Sequence, residues 1–187
     1  MALVKKVGSV HVALLRAINV GGKNMVPMKS LASMFVDAGC SGVETYIQSG
    51  NVIFHADSAL ALRIPALISE ALTDRFGFHV PVLTRTATEL SRVARSNPFL
   101  RAGAELEILH VAFLADRPGA AKVKALDPNR SPPDQFAVRG CEIYLRLPNG
   151  AGRTKLTNSY LDSKLATTST LRNWRTVLKL LELASGV

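Results

Sequence analysis

The first half of the chain lays down its apolar patterns in an order that few folds accommodate: strand, helix, strand, strand, helix, strand. Val10-His-Val-Ala-Leu-Leu-Arg16 is apolar at consecutive positions, as a central strand covered on both faces is. Pro27 then sets up a helix in which Leu31, Met34, Phe35 and Ala38 fall on one face, with Gly39 placed to end it. Val43, Thr45 and Ile47 alternate with Glu44, Tyr46 and Gln48, and Ser49-Gly50 turns the chain into Asn51-Val-Ile-Phe-His55, which makes a hairpin. Helical spacing returns from Ser58 to Phe76, where Pro65 either kinks the helix or marks its start and Gly77 caps it. Val80-Pro-Val-Leu-Thr84 follows as a short strand, and its proline places it at a sheet edge.

This βαββαβ order is that of the ferredoxin-like split βαβ unit. The second half echoes it. Thr86-Ala-Thr-Glu89 is a capping box opening a helix that Asn97-Pro98 closes. A strand over residues 105–115, a helix over 118–126, a hairpin of Phe136–Arg139 and Cys141–Leu147 bent at Gly140, a helix over 155–165 and a last helix from about Leu171 to Leu183 complete the reading. The fold expected is therefore α+β: two ferredoxin-like (α/β-plait) subdomains with antiparallel sheets, the second an incomplete repeat. Residues 1–97 form the first with its linking helix, and residues 98–187 the second with the C-terminal helices.

In a split βαβ unit the first two strands run the same way, with the third antiparallel between them. The end of the first strand, the hairpin turn and the start of the first helix then share one end of the sheet. Arg16, Asn19, Gly21, Gly22, Lys23, Asn24, Gln48, Ser49 and Asn51 become neighbours, and helix N–H groups beside Lys23 and Arg16 favour an anion, phosphate above all. The plainer function of Gly21-Gly22 and Ser49-Gly50 is to permit positive φ. A nucleotide phosphate loop is excluded, because Ala17 stands for its leading glycine and Asn24 for its Ser/Thr, and Pro27 delays the helix.

Net charge is +9, and between Arg146 and Leu181 seven basic residues face one acid, Asp162. That concentration favours an anionic partner, with Arg172, Asn173 and Arg175 as a second basic patch near the start of the last helix and Thr170 as its possible cap. On that helix Trp174, Val177, Leu178 and Leu181 make the apolar stripe. Aromatic residues make up only 6% of the chain, and neither central strand carries the paired aromatics of an RNA-recognition motif, so that subtype is disfavoured.

Other chemistry is sparse. His11 and His55 fall near each other at the opposite end of the sheet from the glycine loop, but His11, His55, His79 and His110 show no metal-site spacing, so no metal and no cofactor is expected. Cys40 and Cys141 are read as small buried hydrophobes. The N-terminal residues lack a leader pattern and charges interrupt every apolar run, which points to a cytoplasmic protein without a membrane anchor.

At Leu14-Leu-Arg-Ala-Ile-Asn-Val-Gly-Gly-Lys-Asn24, Pro27-Met28, Tyr46-Ile-Gln-Ser-Gly-Asn-Val-Ile-Phe54, Thr154-Lys-Leu-Thr157 and Arg172-Asn-Trp-Arg-Thr-Val177, the chain closely resembles the bacterial domain of unknown function 1697 family. The resemblance runs over nearly the whole length and implies two α/β-plait subdomains, but no particular activity. Ala17 stands where that family usually has glycine, and Ser169-Thr-Leu171 lengthens the join between Thr168 and Arg172.

The function expected is that of a binding protein for nucleic acid or another phosphate-containing ligand, acting through the basic C-terminal region and the glycine loop. The alternative is an enzyme for a small anionic or nucleotide-like substrate held by Arg16, Lys23, Gln48 and Asn51. Binding is preferred because no nucleophile elbow, Cys/His pair or close acidic pair occurs.

Overall fold

The computed structural model describes residues 8–186; the first seven, on which the leader reading rests, lie outside the described residues. The elements run β1 (Ser9–Leu15), α1 (Met28–Asp37), β2 (Ser41–Tyr46), β3 (Asn51–Ala56), α2 (Ser58–Phe76), β4 (Val82–Thr86), α3 (Ala87–Arg95) and α4 (Pro98–Arg101). A 3-10 turn then leads into β5 (Leu109–Leu114), α5 (Ala120–Lys124), β6 (Gln135–Arg139), β7 (Glu142–Arg146), α6 (Asn158–Leu165), β8 (Ser169–Asn173) and α7 (Trp174–Ser185). Two compact units result: one runs to Leu90 and takes in the chain from Leu180 on, and the other is Ser91–Lys179. No helix among the described residues is long and apolar enough to cross a membrane.

The first unit is a four-stranded antiparallel sheet in the order β2-β3-β1-β4. This is the split βαβ arrangement, with β1 inside and β4 at the edge. Val12, Ala13, Leu14 and Leu15 are fully buried, so β1 is apolar on both faces because both faces are covered. On one face Ala13, Leu15, Val52 and Phe54 pack with Leu31 and Phe35 of α1 and Ile64, Ile68 and Leu72 of α2. Asp57 caps α2 by accepting the Leu60 N–H at 2.8 Å, and Gly77 ends it at φ 78°. Pro65 therefore lies inside the helix and removes one of its hydrogen bonds; it does not mark the start.

The second unit repeats this topology in full, with β6-β7-β5-β8 all antiparallel. The expectation of an incomplete repeat is corrected here. Ser169–Asn173, which helical spacing partly assigns to the opening of the last helix, is the fourth strand and pairs with β5 from His110 to Leu114. Apolar spacing around Trp174 continues in the sequence beyond the point where the helix begins: Asn173 Oδ1, not Thr170, accepts the Thr176 N–H at 2.7 Å. The buried stripe of α7 is correspondingly Trp174, Val177, Leu180 and Ala184, while Leu178 is 36% exposed. Ala112, Leu114, Ile143 and Leu145 pack with Leu161 and Leu165 of α6 in this unit's core.

The two units also match residue by residue. His11-Val-Ala-Leu-Leu15 of β1 has its counterpart in His110-Val-Ala-Phe-Leu114 of β5, and Val12 opposite Arg85 is repeated as Val111 opposite Arg172. The capping box at Thr86 forms as its sequence predicts, with Glu89 N–H donating to Thr86 Oγ1 at 3.1 Å and Thr86 N–H to Glu89 Oε2 at 2.8 Å.

Candidate functional site

The loop after β1 is built by asparagines. Asn19 donates its side-chain amide to the carbonyls of Val26 and Gln48, both at 2.9 Å, and accepts the Val26 N–H at 2.7 Å. One residue thus ties the glycine loop to its own return and to the β2–β3 turn. Asn24 donates to the Ala17 carbonyl at 3.2 Å, and Lys23 N–H closes a tight turn onto Val20 O at 3.1 Å. These hydrogen bonds hold Ala17, Asn19, Gly21, Gly22 and Asn24 at φ between 49° and 72°, the left-handed region.

The hairpin side is equally tight. Gly50 sits at φ 77° against β1, where its carbonyl accepts the Leu15 N–H at 2.8 Å. A Cβ at Gly50 would stand 2.7 Å from the Leu15 Cβ, so only glycine allows the turn to close on the strand. Asn51 is fully buried and donates to Tyr46 O and Ser49 Oγ, both at 3.1 Å.

The residues expected to be neighbours are therefore on one rim, but their roles divide. Asn19, Asn24 and Asn51 turn their amides inward to hold backbone, and Ser49 is half-buried beside Asn51. Gly21, Gly22, Lys23 and Gln48 are exposed, and Arg16 is half-buried at the end of β1. Next to them lies a cleft of about 300 Å³ lined by Asn19, Met25, Val26, Pro27, Met28, Lys29 and Gln48. Its floor is the start of α1, where Pro27 occupies the cap position without a side-chain hydrogen bond and no acid stands in the first turn. The helix therefore presents uncapped N–H groups there. Sequence reasoning missed Lys29 and the methionines. The available signal was their place immediately after Pro27. Val20, Met25 and Ile47, exposed by 59%, 56% and 49%, add an apolar fringe.

The second basic patch does not form. Arg172 is 7% exposed, and its guanidinium donates to Thr170 Oγ1 at 2.9 Å and Leu171 O at 2.8 Å. Strand pairing opposite Val111 turns it inward, and burial lowers its pKa to about 10. Asn173 caps α7, and the exposed Arg175 is paired with Glu107.

His11 and His55 are on adjacent strands as expected, but His11 opposes Phe54 while His55 opposes Val10, so their rings lie on opposite faces. Among the described residues no three potential metal ligands cluster. Cys40 is buried, which raises its thiol to about 11, whereas Cys141 is only half-buried against the second core. The two form no disulfide.

A search of curated proteins gave no match. Among solved structures the chain is similar to the conserved bacterial protein SP0830 from Streptococcus pneumoniae, at 21% identity and a TM-score of 0.71, over 94% of this chain and 98% of that one. The likeness extends to the fold, two ferredoxin-like subdomains. The family described as "Protein of unknown function (DUF1697)" matches residues 9–144, about three quarters of the chain, and the chain belongs to it.

Proposed function

We propose that the protein is a binding protein that takes a phosphate-bearing partner, nucleic acid in the leading case, at the rim formed by the glycine loop, the β2–β3 turn and the start of α1. One observation carries the reading: an uncapped helix N-terminus opens into a formed cleft lined by Lys29, and the exposed Gly21, Gly22 and Lys23 belong to the loop that supplies Asn19 and Met25 to its wall. A phosphate there would meet amide donors and ammonium groups, and the apolar fringe would cover the uncharged part of the partner. Among the described residues no His, Cys, Asp or Glu lines this cleft, so its geometry supports recognition more than acid–base chemistry. The inward Arg172 removes the C-terminal patch from this reading, and the rim alone supports it.

Fluorescence anisotropy with labelled single- and double-stranded oligonucleotides tests it. Affinity should fall steeply between about 50 and 200 mM salt, and removing one lysine–phosphate pair should flatten the log–log slope by about 0.7 to 0.9. Lys23→Gln and Lys29→Gln should each weaken binding and reduce that slope. Absence of binding at low salt, or variants indistinguishable from the parent, would remove the proposal.

A further inference from the structure

The opposite end of the first sheet holds a different cleft, about 350 Å³, where β1, β4 and the first turns of α2 and α3 meet. His11, Thr84 and Thr86 reach it from the helix-covered face of the sheet, Ser58 and Leu62 from α2, and Glu89 from α3. Its size falls at the lower end of small-molecule clefts, roughly 300 to 1,000 Å³.

What distinguishes it is the polar chemistry left over. His11 Nε2 lies 2.9 Å from Ser9 Oγ, which leaves Nδ1 without a protein partner among the described residues. Glu89 uses Oε2 for both Thr86 bonds, at 2.8 and 3.0 Å, which leaves Oε1. The hydroxyls of Thr84 and Ser58 have no side-chain partner among the described residues. Arg85 also borders the cleft, but it opposes Val12 and so projects from the other face than His11 and Thr86. The wall therefore combines one carboxylate, an imidazole, two hydroxyls and the apolar Ala61 and Leu62. Burial lowers the His11 pKa more than the Glu89 carboxylate raises it, which favours the neutral ring.

The duplicated fold supplies an internal comparison. His110 occupies the place of His11, yet Asn173 and Thr176 stand where Thr86 and Glu89 do, so the second unit lacks the carboxylate. At the equivalent position the second unit therefore offers a hydroxyl in place of the carboxylate.

We propose that this cleft binds a small uncharged molecule carrying a vicinal diol, as a sugar or the ribose of a nucleoside does. A carboxylate oxygen and an imidazole nitrogen can bind two adjacent hydroxyls together, Thr84 and Ser58 complete the polar ring, and the negative charge disfavours phosphates. This site is independent of the phosphate-binding rim.

The test follows the His11 ring signals of the full-length protein by NMR during titration with methyl β-D-ribofuranoside, adenosine and 2′-deoxyadenosine. Saturable shifts with adenosine, and affinity about tenfold weaker when the 2′-hydroxyl is missing, support the diol reading, tenfold being about 1.4 kcal/mol. Binding of both diols identifies the sugar as the ligand, and binding of adenosine alone identifies a nucleoside. Glu89→Gln keeps the capping box, since glutamine serves at that position, but should weaken binding about tenfold. It should also lower the His11 pKa further by removing the carboxylate that raises it, a readout that needs no ligand. The inference is overturned if neither diol moves the His11 signals at millimolar concentration, if 2′-deoxyadenosine binds as well as adenosine, or if Glu89→Gln and Thr84→Val both leave affinity unchanged.

Discussion

Ala17 carries a backbone strain that its sequence neighbours do not relieve. It holds φ 54°, a region that costs an L-residue roughly 1–2 kcal/mol, whereas glycine adopts it freely at some cost in unfolded-chain entropy. Ala17→Gly should therefore stabilise the protein by about 0.5–1 kcal/mol, measured by urea unfolding. The buried histidines act in the opposite direction as pH falls. Desolvation lowers the pKa values of both His11 and His110 from 6.5, so the unfolded chain takes up protons first. Stability present above about pH 6.5 should be lost as pH falls through the two folded values. Unfolding curves taken at stepped pH check this, and a His11→Gln/His110→Gln chain should show a flatter decline.

Among the elements, the β2–β3 hairpin and the loop after β1 depend on each other. Asn19→Ala removes two donated bonds and one accepted bond at once, and should cost about 1–3 kcal/mol in urea unfolding. Most elements of the first unit are readable in the sequence because pattern and punctuation agree: Pro27 and Gly39 bracket α1, and Thr86 and Glu89 open α3. The β8 strand is not, because Ser169-Thr-Leu-Arg-Asn173 has no alternation of its own and is fixed by pairing with β5. The candidate rim is legible as topology, since strand direction alone brings Arg16–Asn24 to Gln48–Asn51. The inward turn of Asn19 and Asn51 is not, because a polar residue in a loop looks the same whether it meets a ligand or backbone. Arg172 misleads for a related reason: charge suggests surface, and only its register opposite Val111 reveals burial.

At the scale of the molecule, the end of α7 matters more than its position suggests. Leu180 is fully buried, and the chain from that residue onward belongs with the first unit. Leu180→Ala should therefore cost about 2–5 kcal/mol in urea unfolding. The Asn19 amide has a consequence on the same scale. Because it already fastens the loop to the hairpin, the phosphate-bearing partner proposed for this rim would have less chain to order on binding, and less ordering entropy would oppose its affinity. Encounter should then be governed by the long-range field of a chain with net charge +9, with fast association at low ionic strength and bound and free backbones that superimpose.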